Sequence, residues 1–148
     1  MSGQIAGYSI AFIAGVAVPF LAAINAAFGQ SIGSVYGAAL ILCCVALAVI
    51  FVVAYASGAP LPSLDQLRQA SWWHFAAGAF FAVYVVSITY VAPKIGVGNA
   101  IIFVVVAQIL TAVLIDHFGL FGAAVKEIDF KRTAGVVLLI AGVALARS

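Results

Sequence analysis

Hydrophobic positions in this chain come in long runs that do not alternate with polar ones. A helix crossing a bilayer needs roughly 20 apolar residues. The runs at residues 5–29, 32–57, 73–92, 97–121 and 133–146 therefore predict five spans, the last of them short. Strands of a membrane barrel would alternate over about 10 residues. The pattern predicts an all-α polytopic membrane bundle of five transmembrane helices, with residues 1–148 forming one domain.

Polar residues inside such runs are the informative exceptions. The stretch from Gly98 to Gly122 holds one amide, Gln108, near mid-span, and closes on the adjacent pair Asp116 and His117. A buried amide in lipid takes a partner from another helix, from a substrate or from water. An Asp against a membrane helix is costly unless it sits at an interface or is used. With His117 it forms a pair that could exchange protons, coupling or gating transport, or that could cap and anchor the helix end.

The first span carries Pro19 and then the small-sided tract Ala22, Ala23, Asn25, Ala26 and Ala27. Proline removes a backbone hydrogen bond and predicts a kink, and kinked helices are favoured places for transport sites. Asn25 is accordingly a candidate substrate contact or an interhelical hydrogen-bond partner. The link from Gly29 to Ser34 is short enough to force an antiparallel hairpin.

Ala59 to Pro62 stop the second span, and the polar stretch Ser63 to Ser71 has room for a short interfacial helix. Trp72 and Trp73 follow, as expected for anchors at a headgroup boundary. Trp73, Phe80, Tyr84 and Ser87 recur at helical spacing, predicting one face. Aromatic rings and hydroxyls on one face suit the wall of a ligand site as well as helix packing. Pro93, Lys94, Gly96 and Gly98 predict a tight turn into the fourth span.

The densest charge lies between Ala123 and Arg132, a solvated connection. In the last span Ala134 and Gly135 are echoed by Ala141 and Gly142, so small residues recur on one face and allow close helix approach. That helix is the candidate dimerisation surface.

Composition agrees: 67% of the 148 residues are hydrophobic and 7% charged, with a mean hydropathy of +1.30. A soluble domain of this size buries only about 70% of its chain's surface and could not hide so much apolar area. The net charge of +2 is small and its basic residues scattered, which gives no footprint for nucleic acid. Cys43 and Cys44 are adjacent on a helix, about 100° apart, and read as small packers. The start lacks the basic region of a signal peptide, so the first run is taken as the first helix.

No cofactor or metal is expected, and no enzyme: the histidines are His74 and His117, each beside a membrane boundary, and there is no Gly-rich phosphate loop. With five spans, Arg68, Lys126, Lys131 and Arg132 fall on the N-terminal side against Lys94 and Arg147 on the other. The positive-inside rule then puts the N-terminus in the cytoplasm by a small margin that leaves room for both orientations.

The stretch from Gly78 to Gly122, GAFFAVYVVSITYVAPKIGVGNAIIFVVVAQILTAVLIDHFGLFG, and the closing GVVLLIAGVALAR resemble the YdcZ-type inner-membrane proteins of the bacterial drug/metabolite transporter superfamily. AGVAVPFLAAINAAFGQSIGS and the tryptophan pair extend the resemblance through nearly the whole chain. It implies a bundle like one half of the ten-helix members, working as an antiparallel homodimer or with a paralogue and moving a small molecule across the inner membrane. Asn25, Trp73, Gln108, Asp116 and His117 match positions of that family pattern. Four-helix small multidrug transporters use a glutamate in their first helix, and the first span here has no acid. The expected function is secondary transport of a metabolite or amphiphile, with Asn25, Trp73, Tyr84, Ser87 and Gln108 at the substrate and Asp116 and His117 coupling or gating. The alternative is a non-transporting assembly subunit.

Overall fold

The computed structural model describes residues 2–146, and Arg147, counted above for orientation, lies outside them. The described residues are helical throughout, apart from turns and two connecting stretches. The helices are α1 (Ser2–Ser31), α2 (Val35–Ala56), α3 (Leu64–Gln69), α4 (Ala76–Ile95), α5 (Val97–Phe118) and α6 (Phe130–Ala146), with 3-10 turns at Trp72–Phe75 and Leu120–Gly122. Among the described residues, four stretches are long and apolar enough to cross a membrane: Gly3–Ser31, Val35–Ala56, Trp72–Ile95 and Val97–Phe118. The expected fifth span corresponds to α6, whose 17 residues fall short of that length.

The chain divides into two compact units, Met1–Ile95 and Gly96–Ser148. In the first, α1, α2 and α4 pack on one another. Their contact is built from small residues. Ala22, Asn25, Ala26 and Gly29 of α1 are buried at intervals of three and four, and so are Val85, Ile88, Thr89 and Ala92 of α4. Ala38 and Ala39 close the third side. Without a hydrophobic force between helices in lipid, such small faces let backbones approach and gain dispersion contact. The outward surfaces stay apolar and exposed, as lipid requires.

α1 runs unbroken through Pro19. It ends where Gly33 adopts a left-handed φ of 65°. The Ser34 N–H then donates to the Gly29 carbonyl at 3.0 Å and the Gly33 N–H to that of Gln30 at 3.2 Å. This paired closure satisfies carbonyls that the helix end orphans. Ser34 at once caps α2, its Oγ accepting from the Gly37 N–H at 2.9 Å. The hairpin link is thus shorter than the sequence suggested.

α3 begins with a reciprocal box: Ser63 Oγ accepts from the Gln66 N–H while Gln66 Oε1 accepts from the Ser63 N–H. Two sequence expectations need correction. The predicted turn of Pro93, Lys94, Gly96 and Gly98 contracts to Gly96 alone, with φ 85°; Pro93 and Lys94 sit inside α4 and Gly98 inside α5. Pro93 has no N–H to donate to the Thr89 carbonyl, and α4 ends two residues beyond it, at Ile95, where glycine alone reaches the φ of the turn freely. Trp73 lies in a 3-10 turn, so the α-helical register that would align it with Phe80, Tyr84 and Ser87 starts only at Ala76.

In the second unit α5 packs against α6. α5 stops at Phe118 because Gly119 turns left-handed at φ 60°, short of the predicted end at residue 121. Phe121 also has a positive φ, 58°, and Gly122 follows at 80°. A bulky residue in that region is uncommon and costs energy that the surrounding turn must supply.

A hydroxyl-lined cleft as candidate functional site

Within the first unit the hairpin between α1 and α2 and the C-terminal half of α4 enclose an open cleft of ≈ 580 Å³. That volume suits a small-molecule ligand. Four of the residues that line it carry hydroxyls, Ser34, Tyr36, Ser87 and Tyr90, and the others are Gly33, Val35 and Val86. Ser34 is held there by its capping bond, which uses its oxygen as acceptor and leaves its O–H to donate elsewhere. Ser87 and Tyr90 are three apart on α4 and share a face. The Lys94 ammonium lies 3.4 Å from the centre of the Tyr90 ring, one turn further along.

Tyr84, one turn before Ser87 on the same face, has a shielded hydroxyl with no hydrogen-bond partner among the described residues. A hydroxyl withdrawn from water without a partner costs free energy of about 1 to 3 kcal/mol. Such a group is poised to bond whatever enters beside it.

Asn25 is buried, and its Nδ2 donates to Thr89 Oγ1 at 2.6 Å. Thr89 Oγ1 in turn donates to the Val85 carbonyl at 2.7 Å. This relay ties α1 to α4. Asn25 also borders a separate apolar cleft of ≈ 370 Å³ with Phe28, Leu42 and Phe81. Trp73 stacks on His74 at 3.8 Å between ring centres, and His74 Nδ1 lies 3.0 Å from the Ser71 carbonyl oxygen.

Gln108, Asp116 and His117 belong to the second unit. Gln108 is exposed midway along α5. Asp116 forms an ion pair with Arg132, whose other guanidinium nitrogen donates to the Lys126 carbonyl at 3.0 Å. The Lys126 N–H donates to the Asp116 carbonyl at 2.9 Å, and the Ile128 N–H to His117 Nδ1 at 3.4 Å. Asp129 fixes the start of α6 by accepting from the Arg132 N–H at 2.7 Å. The α5–α6 connection is thereby stitched to the end of α5. Asp116→Asn and Arg132→Gln are each expected to lower thermal stability. A double-mutant cycle should give a coupling of about 1 kcal/mol, because both side chains are roughly one-third exposed and partly screened.

In the first unit the sequence singles out Asn25, Trp73, Tyr84 and Ser87, and the structure adds Ser34, Tyr36, Tyr90 and Thr89 to them. A serine directly after a glycine and before an apolar run was a legible helix cap, and Tyr90 with Lys94 was a legible pair four residues apart. Nothing in the spacing linked Asp116 to Arg132, sixteen residues on.

Residues 6–145 match the sequence profile of the family described as "Putative inner membrane exporter, YdcZ". No curated protein and no solved structure matches the chain.

Proposed function

The chain belongs to the YdcZ family of inner membrane exporters, and from that premise we propose that it is a secondary transporter of a small metabolite or amphiphile, working as an antiparallel pair by alternating access. It is a multi-pass membrane protein. The observation that carries the substrate reading is a cleft lined by four hydroxyl-bearing residues in a unit whose long helices otherwise present mostly apolar side chains. Ser87 lines it, and the unbonded Tyr84 hydroxyl sits one turn away. Trp73 is the anchor at the far end of the same span, and Asn25 holds α1 against α4.

α6 is the fifth span in this reading, making one five-helix half of a ten-helix pathway. Its 17 residues reach about 25 Å at the helical rise, near the thickness of the hydrocarbon core. A second copy in the opposite orientation supplies the other half, consistent with the small charge bias, and brings Gln108, Asp116 and His117 into the pathway. The pairing surface is α6: a Cβ built on Gly135 or Gly142 would meet nothing within 4 Å. Gly142→Leu should therefore leave the thermal stability of a protomer unchanged and shift the dimer in detergent toward monomer, as read by light scattering. An unaltered dimer would remove α6 from the interface.

The function itself is tested by a thermal-stability screen of purified protein against metabolites, amphiphiles and cations, since a ligand of the native state stabilises by mass action. A stabilising ligand should lose its effect in Ser87→Phe, which fills the cleft, and keep it in Leu47→Phe on the outer face of α2. Retention in both variants would sink the cleft as substrate site.

A second reading, a non-transporting subunit of a larger membrane assembly, draws on α5: only 6% of its apolar window is buried within the chain, and Gln108 stands exposed in it. Failure of the purified chain to form a discrete dimer, with no ligand found, would favour that reading.

A further inference from the structure

Taking the cleft as the substrate site, we propose that its ligand is an amphiphilic organic anion, with the acid group at Lys94 and the hydroxyls of Ser34, Ser87 and Tyr90 and the apolar body against the valines and rings. Charge is the discriminating feature. In the first unit the charged side chains are Asp65, Arg68 and Lys94. Asp65 and Arg68 lie on α3, which joins the C-terminal end of α2 to the N-terminal end of α4. The cleft is at the other ends of those helices, where Lys94 is the unit's only formal charge and no carboxylate lines the walls.

Lys94 is also held rather than free. A lysine near the end of a membrane helix ordinarily extends its ammonium outward to the headgroups. This one lies back over the Tyr90 ring, a wall of the cleft. The only ion pair among the described residues is that of Arg132 and Asp116, so the Lys94 ammonium has no acidic partner there. The start of α2 adds to the same field, because first-turn N–H groups carry the positive end of the helix dipole and Val35 and Tyr36 line the cleft. The Tyr90 ring does not reverse the preference, because one of its faces already holds the protein's own ammonium. An amine entering here meets a like charge and no acid, whereas a carboxylate meets an ammonium and several O–H donors.

Three fluorescent probes with one ring system and different charge test this: naphthoate, naphthylmethanol and naphthylmethylamine, titrated at constant ionic strength into purified protein in neutral detergent. Naphthoate should bind saturably, roughly tenfold more tightly than the alcohol, a difference of about 1.4 kcal/mol. The amine should not compete, and Lys94→Gln should abolish the preference for the acid while leaving alcohol binding in place. A parallel arm adds phosphatidylglycerol. Lys94-dependent displacement of naphthoate by that lipid assigns the anion to a headgroup, and persistence of naphthoate assigns it to a free acid. Amine or alcohol binding as tight as naphthoate, or an acid preference unchanged in Lys94→Gln, overturns the proposal. If that binding is still lost in Ser87→Phe, the cleft stands as a ligand site and only its charge preference falls. If no probe binds in a Ser87→Phe-sensitive way, both the cleft and the anion fail together.

Discussion

Gly29→Leu should cost about 3 kcal/mol, while Gly15→Leu on the same helix should be neutral or slightly stabilising. The contrast comes from what surrounds each position. A Cβ on Gly29 would sit 3.2 Å from Thr89 Cγ2 and 3.5 Å from Ala38 Cβ, both on buried packing residues of α4 and α2. The rest of a leucine has no space left between helices held together by alanine and glycine. A Cβ on Gly15 would meet nothing within 4 Å, so there leucine adds only helix propensity and an apolar surface. Because the Ser34 N–H bonds the Gly29 carbonyl, displacing α1 at this point also disturbs the hairpin that walls the cleft. Thermal unfolding in detergent reads both variants. Equal stability for the two would mean that the small-residue crossing of α1, α2 and α4 is not what holds the first unit together.

Gly119→Ala is the second large effect, expected at about 2 kcal/mol. Its φ of 60° is one that an L-residue adopts at a cost of about 1 to 2 kcal/mol. The new Cβ would lie only 2.7 Å from Val125 Cγ2, so the Val125 side chain has to shift, together with the segment that carries it where the side chain has no room. That segment carries the Lys126 N–H to the Asp116 carbonyl and leads to Arg132, the ion-pair partner of Asp116. Adding Val125→Ala should return the steric part of the loss and leave the conformational part. A neutral Gly119→Ala, or a double variant no better than the single one, contradicts the left-handed turn as the stop for α5.

The helices could be read from the chain because in lipid every backbone group must be bonded within its own segment, so apolar runs of sufficient length have one solution. Chemistry marks some of their ends, as at Gly33 with Ser34 and at Ser63 with Gln66, but apolar runs alone closed the first span at residue 29 and opened the second at 32. Ends were misplaced where proline was taken as a stop, since α4 runs two residues past Pro93, to Ile95. The site was harder. Ser87 and Asn25 drew notice because a polar group in an apolar run is costly. Thr89 escaped because its hydroxyl can bond its own helix and so needs no explanation from spacing, although the amide of Asn25 also uses it. Ser34, Tyr36 and Tyr90 lie near helix ends, where hydroxyls and rings are ordinary interfacial residues. Only the packing of α4 against the hairpin makes them walls of one cleft.

The most direct test of a water-filled substrate cleft in the first unit needs no known substrate. With Cys43→Ala and Cys44→Ala as background, single cysteines are placed by Ser87→Cys and Leu47→Cys and treated in membranes with a charged, water-soluble maleimide. Leu47 is 70% exposed on an apolar helix face that lipid covers. Ser87→Cys should be labelled rapidly, more slowly when naphthoate is present, and Leu47→Cys should not be labelled. Ser87→Cys as unreactive as Leu47→Cys would show that the hydroxyls face lipid or packed protein, and the cleft would be no transport site.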